Sequence, residues 1–328
     1  MTFSPQELMQ MAVAEGEKAR MHAPPNPWVG ALIVNGDGVI VAEGHTQAPG
    51  ESHAEIEALR RAGERARGAT MIVTIEPCCH VGRTGPCVDA IVEAGVSRVL
   101  IGTLDADSRV SGRGVSLLKS SGVDVEVGVE ESLVRAQLAP YLWHRVTGRP
   151  YVVLKIASTL DGVVAMADGS SQWITGDDAR RDAHVLRAQS QAILVGAGTV
   201  RADNPALTAR LGDIILEPLR VVLGQVAPDA RVRPCLERSG DLGAVLDELG
   251  QHDVLQLLVE GGPRTASEFV EQGLVNHVVW YQAPAFGGSL GTAGALKELA
   301  TPTIGALRRG RVVDVQRIGE DIRIDVEV

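Results

Sequence analysis

Residues 53–55 read His53-Ala54-Glu55, and residues 76–87 read Glu76-Pro77-Cys78-Cys79-His80-Val81-Gly82-Arg83-Thr84-Gly85-Pro86-Cys87. One imidazole and two thiols, His53, Cys78 and Cys87, make a three-ligand zinc site with a fourth position open to water. Glu55 is not a ligand but lies two residues from one. Zinc lowers the pKa of a bound water, and a neighbouring carboxyl moves its proton, the part list of a base or nucleoside deaminase. His53 and Cys87 are each expected to open a helix, where positive partial charge favours thiolate, with Cys78 in the loop after a strand. Cys79 adjoins Cys78 and is the alternative ligand, but its side chain should leave the loop in another direction. His80 is expected to face substrate rather than metal. A structural zinc is the competing reading, and Glu55 beside an open position disfavours it.

Outward from that stretch, the 328 residues suit two domains. With 45% hydrophobic residues but only 3% aromatic ones, Val, Leu, Ile and Ala must fill the core. The net charge of −10 comes without a strongly basic run, which disfavours a nucleic-acid polymer as partner. Three of the four cysteines cluster between positions 78 and 87, which suits metal binding in a reducing compartment. Met1-Thr2-Phe3-Ser4-Pro5 lacks the features of a signal peptide, and no apolar run reaches 18 residues. A cytoplasmic protein with no membrane partner is expected. Cys235 is expected to be a small core residue.

Helices are expected over 5–20, 53–66, 87–93, 113–120 and 130–143, and strands over 29–34, 39–42, 70–75, 98–102 and 123–127. A turn over 144–150 makes the join, giving domains at 1–147 and 148–328. Strands at 151–157, 192–195, 219–223 and 255–259 then alternate with helices at 177–189 and 263–272. The segments 277–282, 311–315 and 322–326 are expected to finish that sheet as antiparallel strands. Alternation of this kind argues for α/β layers with crossover helices. Residues 225–250 are the least readable.

The 53–55 and 76–87 motifs, with Pro25-Asn26-Pro27-Trp28-Val29-Gly30, resemble the deaminase half of the bacterial bifunctional riboflavin-biosynthesis deaminase–reductases. Several runs resemble the reductase half: Leu154-Lys155, Ala157-Ser158, Leu160-Asp161-Gly162, Ser171-Gln172-Trp173-Ile174-Thr175, Arg187-Ala188-Gln189-Ser190, Thr199-Val200 and Glu260-Gly261-Gly262-Pro263. The resemblance implies a three-layer α/β/α cytidine-deaminase-like domain followed by a dihydrofolate-reductase-like α/β domain. It implies zinc-dependent deamination of 2,5-diamino-6-ribosylamino-4(3H)-pyrimidinone 5′-phosphate, then NADPH reduction of the ribosyl group to ribityl. A homo-oligomer is implied too.

Residue by residue, the resemblance places Asn26, His45, His80 and Arg83 on the pyrimidine substrate. It places Ala157, Trp173, Thr199, Asp203 and the run Gly262-Pro263-Arg264-Thr265-Ala266-Ser267-Glu268 on NADPH. Ser171, Arg187, Leu207, Arg210 and Glu260 fall on the reductase substrate, with Arg187 and Arg210 as phosphate clamps. Lys155, expected to face inward from a strand, is assigned a catalytic role at the imine or the sugar hydroxyl. Two stretches depart from the family pattern, Asp105-Ala106-Asp107-Ser108 and Leu223-Gly224-Gln225. They put the pyrimidine-ribose contacts and the adenosine side of the cofactor in question.

Overall fold

Ser4 starts the first helix: its hydroxyl accepts the Glu7 N–H at 3.2 Å, while the Glu7 carboxylate accepts the Ser4 N–H at 2.8 Å. This reciprocal cap, with Pro5 in the first turn, satisfies donors that a helix start leaves over. The computed structural model describes residues 3–80, 85–107, 109–290, 292–297 and 299–328, and the chain divides into two units, Met1–Gly148 and Arg149–Val328.

In the first unit the order is α1 (Pro5–Glu17), β1 (Gly30–Val34), β2 (Ile40–His45), α2 (Ala54–Ala62), β3 (Thr70–Ile75), α3 (Cys87–Glu93), β4 (Arg98–Thr103), α4 (Arg113–Ser120), β5 (Asp124–Val127), α5 (Glu131–Gln137) and α6 (Ala139–Thr147). The sheet runs β2-β1-β3-β4-β5. β1 is antiparallel to both neighbours, and β3, β4 and β5 are parallel. Helices α2, α3 and α4 pack together on one side and α1 with α5 on the other, giving three layers. Strands β1 and β3 are buried along nearly their whole length, as strands covered on both faces must be.

Two expectations need correcting here. The helix expected over 53–66 ends at Ala62, where Gly63 adopts φ 56°, and a 3₁₀ turn covers Gly63–Ala66. The helix expected over 130–143 is two, broken at Leu138; the second starts with Pro140 in its first turn and runs on to Thr147, so 144–147 is helix rather than turn.

The second unit contains β6 (Tyr151–Thr159), β7 (Val163–Ala165), α7 (Asp177–Ala188), β8 (Ala192–Gly196), α8 (Ala197–Asp203), β9 (Ala209–Leu211), β10 (Ile214–Leu216), β11 (Leu219–Leu223), β12 (Leu236–Arg238), α9 (Leu242–Gln251), β13 (Gln256–Val259), α10 (Pro263–Glu271), β14 (His277–Ala283), β15 (Ala293–Gly294), β16 (Arg311–Ile318) and β17 (Asp321–Glu327). Its main sheet is ordered β12-β11-β8-β13-β6-β14-β17-β16. It is parallel from β12 to β14 and closes with β17 and β16 antiparallel. The late pair is as expected, but 277–282, expected antiparallel, instead runs parallel to β6, because α10 carries the chain back across the sheet before β14. Alternate residues of each central strand feed two cores. Leu154, Leu194 and Leu257 meet Phe269 of α10 and Leu246 of α9, while Val153, Ile193 and Leu258 meet Leu186 of α7 and Val200 of α8. The poorly readable 225–250 segment holds β12 and α9.

Candidate active sites

The first candidate site is built where three chain reversals meet. His53 caps the N-terminus of α2, Cys78 follows β3, and Cys87 is the first residue of α3. Gly44 lets α2 lie directly on β2: a Cβ there would stand 2.4 Å from the Ala54 carbonyl and 2.5 Å from the Ala58 nitrogen. Any side chain at 44 would lift His53 and Glu55 off the sheet.

His53 Nδ1 is 3.3 Å from Cys87 Sγ and 3.6 Å from Cys78 Sγ, and the three ligand atoms lie within 4.8 Å of one another. Tetrahedral zinc with bonds of about 2.3 Å to sulfur and 2.0 Å to nitrogen needs an N···S separation of about 3.5 Å. The donor set therefore fits zinc in kind and spacing. The hydrogen bonds from Cys87 and His53 outweigh burial and hold the Cys78 thiol at about 4; the Cys78 contact lifts His53 to about 9. The same Cys78 contact and burial push the Cys87 thiol well up. Glu55 is buried at 3% exposure, and burial pushes its carboxyl up, as a proton carrier requires.

Cys79 turns away from this cluster and lies 3.7 Å from the Arg109 carbonyl oxygen. With His80 it lines a small cavity of about 420 Å³ beside Arg109 and Arg113. Asn26 lies in the half-buried loop between α1 and β1, and its carboxamide has no hydrogen-bond partner among the described residues. His45 ends β2 with Nδ1 2.8 Å from Glu15 Oε1. Arg83 lies outside the described residues.

A buried group given no role in the sequence reading is Glu76. Its carboxylate accepts the main-chain N–H groups of Gly112 (2.9 Å), Val115 (3.1 Å) and Asp105 (3.3 Å), tying the start of α4 to the turn that carries Cys78. The Glu76-Pro77-Cys78 run marks its place in the sequence but not its partners. Asp105 is itself buried, which pushes its carboxyl up to about 6, and it accepts the Tyr141 hydroxyl at 3.2 Å.

In the second unit a cavity of about 1130 Å³ opens along the C-terminal ends of the parallel strands. Lys155, Ala157, Ser171, Trp173, Arg187, Thr199, Asp203, Leu207, Arg210 and Glu260 line it, as do Gly262, Pro263, Arg264, Thr265, Ala266 and Glu268. Ser267 is the exception: it is 4% exposed and is not among the lining residues, because it falls on the inner face of α10. Gly224 and Gln225, where the family pattern breaks, line the cavity too.

The glycine turns have packing reasons. A Cβ at Gly196 would stand 2.7 Å from Thr265 Oγ1, and one at Gly261 2.5 Å from Thr265 Cβ, so the first turn of α10 sits between the ends of β8 and β13. The Gly262 N–H donates to Thr199 Oγ1 at 3.1 Å, joining the two turns. A wide cavity bounded by glycine turns and a helix start fits a dinucleotide's phosphates.

Arg187 does not stand free as a phosphate clamp. Its Nε and Nη2 donate to Glu260 at 2.6 and 2.8 Å, and its Nη1 to the Thr208 carbonyl at 3.2 Å. Burial raises the Glu260 carboxyl, but Arg187 more than offsets this and leaves it at about 2. Burial lowers the Lys155 ammonium against the pull of Glu260, and Lys155 Nζ lies 5.9 Å from the centre of the Tyr281 ring. Sequence reasoning missed His184, whose Nδ1 accepts the Arg210 N–H at 3.2 Å. Its position three residues before Arg187 on α7 was the available signal.

Among the described residues no helix is long and apolar enough to cross a membrane. Residues 3–103 match the family model for the cytidine and deoxycytidylate deaminase zinc-binding region, and residues 150–324 match that for the RibD C-terminal domain. The sequence is 43% identical to riboflavin biosynthesis protein RibD of Chlamydia trachomatis, over 86% of this chain and 85% of that one. It is 40% identical to RibD of Mycobacterium tuberculosis, over 98% and 96%. Among solved structures, Acinetobacter baumannii RibD superposes with a TM-score of 0.91 at 34% identity, covering 98% of both chains. A Thermotoga maritima diaminohydroxyphosphoribosylaminopyrimidine deaminase/5-amino-6-(5-phosphoribosylamino)uracil reductase gives 0.87 at the same identity and coverage.

Proposed function

The chain belongs to the RibD family of bifunctional riboflavin-biosynthesis deaminase–reductases, and on that premise we propose how its residues divide the two reactions. The first substrate is the diaminopyrimidinone ribose phosphate, whose 2-amino group leaves as ammonia while water supplies the new oxygen. His53, Cys78 and Cys87 hold zinc, which when bound acidifies water and polarises the ring. Glu55 takes a proton from the attacking water and delivers it to the departing amine. Asn26, with its free carboxamide, reads the ring edge, and His45, His80 and Arg83 meet the rest of the substrate.

The second reaction opens the ribosyl ring and reduces its C1′ to give the ribitylamino phosphate. NADPH, when bound, supplies the hydride. The run 262–268, where α10 begins, turns the positive end of that helix toward its phosphates, with Thr199 fixing the Gly262 N–H, and Ala157, Trp173 and Asp203 line its path. Of the two arginines expected to clamp the sugar phosphate, Arg210 takes the larger part, because Arg187 is engaged by Glu260. Lys155, its ammonium eased toward neutrality by burial, gives and takes the proton at the reacting imine. The assignment of deamination to 1–147 and reduction to 148–328, oligomerisation and a cytoplasmic setting belong to the same proposal.

The observation that carries this reading is the convergence of His53, Cys78 and Cys87 beside a buried Glu55. Glu55→Gln should cut ammonia release by about 10²–10⁴-fold at normal zinc content. NADPH oxidation should begin only with the deaminated intermediate. Ammonia release that survives in Glu55→Gln counts against the assigned role, and absence of NADPH oxidation counts against the second step.

A further inference from the structure

Residues 104–149 fall between the two regions that match family models, yet α6 in that segment reaches the loop that carries Asn26. Arg145 Nη2 donates to the Pro25 carbonyl at 3.0 Å. The guanidinium lies 4.9 Å from the centre of the Tyr141 ring, one turn earlier on the same helix. The Tyr141 hydroxyl donates to Asp105 at 3.2 Å, and the Asp105 N–H donates to Glu76 at 3.3 Å. Glu76 stands two residues before Cys78. A continuous set of contacts thus runs from the Cys78 turn to the Asn26 loop, through a helix that holds neither ligand nor reacting group.

We propose that Arg145 is a positioning residue for deamination: by holding the Pro25 carbonyl it fixes where the neighbouring Asn26 meets the pyrimidine. The inference rests on the reading of Asn26 as a ring contact. Three features of the site favour it. Thr46 holds the loop at its two ends, through His22 at 3.2 Å and the Val29 N–H at 3.0 Å, whereas beside Asn26 itself the main-chain bond is local, Asn26 N–H to Ala23 at 2.9 Å. Tyr141 is 4% exposed and anchored by Asp105, so the surface beneath the guanidinium is rigid. A planar cation stacked on a ring and bonded to a carbonyl has one orientation, which a flexible ammonium does not.

Steady-state deamination by the full chain, with zinc content measured alongside, tests this. Arg145→Met keeps an unbranched stem on the Tyr141 ring and removes the donor. KM for the pyrimidine phosphate should rise roughly tenfold, with kcat within about twofold, at unaltered zinc per chain. Arg145→Lys, which keeps a donor, should recover part of that rise. Asn26→Ala should raise KM at least as much, and combining it with Arg145→Met should add little, since both act through one contact.

A native KM in Asn26→Ala overturns the reading of Asn26 and the inference with it. A raised KM there with a native KM in Arg145→Met overturns the inference alone. Loss of kcat or zinc in Arg145→Met at native KM also overturns it, because Arg145 then serves only the framework of the domain. Should Arg145→Met fail to fold, Tyr141→Phe decides. That variant frees the ring from Asp105, and a raised KM at normal zinc supports the inference whereas a native KM overturns it.

Discussion

The metal cluster takes its parts from residues 53 to 87, at the reversals that follow β2 and β3, and with its ligand atoms within 4.8 Å of one another it is small enough for one ion to organise. The reductase cavity gathers Lys155 from β6, Arg187 from α7, Arg210 from the β9 strand and Glu260 from the end of β13. Two of those four, Arg187 and Glu260, form a buried guanidinium–carboxylate pair. One site leaves its charges to be satisfied by a metal, while the other satisfies them within the chain. Removing a single part should therefore act differently in the two. In the first, chemistry fails because the metal is lost; in the second, stability falls because a buried charge loses its partner.

The largest effect is expected from Cys78→Ser, which should lose zinc and deamination together, by about 10³-fold or more, while NADPH oxidation with the deaminated intermediate persists. Metal analysis beside both assays checks this. Chelation should reproduce the pattern without any substitution. Glu260→Gln comes next. Breaking a buried pair costs about 3–5 kcal/mol, so denaturant unfolding should show a large loss alongside weakened reduction, with zinc content unaffected. Equal damage to both activities in either variant would break the comparison.

A smaller effect concerns pH. Burial pushes the Asp105 carboxyl up to about 6 in the folded protein, from an ordinary value of 3.8. Between those values the folded chain binds the extra proton, so stability falls as pH rises from about 4 to about 6, by about 1–3 kcal/mol. Asp105→Asn should flatten that slope in unfolding curves measured across the window. Glu260 has the opposite sign: its carboxyl is held at about 2. The stability it contributes is present above about 4.5 and is lost as pH falls through about 2. The smallest effect is expected from Cys79→Ser, with zinc retained and deamination within about twofold, because that thiol faces Arg109 rather than the metal cluster.

The contrast also explains what was legible in the sequence. Cys87–Glu93 and Thr70–Ile75 could be bounded from pattern alone, because a polar turn precedes a helix in one case and an unbroken apolar run marks a covered strand in the other. The metal cluster was legible because its ligands need little except helix starts at the right spacing. Glu76 was not, since its partners are main-chain N–H groups of residues 105, 112 and 115, which a sequence does not display as a motif. The pairing of Arg187 with Glu260 depends on which way α7 packs across β13, so reading Arg187 as a phosphate clamp stopped one contact short. The α5–α6 break at Leu138 was hidden because Leu142 continues the apolar face across it.

Zinc K-edge absorption on the purified full chain addresses the open three-ligand site most directly. The account predicts one zinc per chain with two sulfur neighbours at about 2.3 Å and two lighter ones at about 2.0 Å, one of them exchangeable with solvent. A shell of three or more sulfurs, a closed shell without an exchangeable ligand, or a chain that binds no zinc would contradict it.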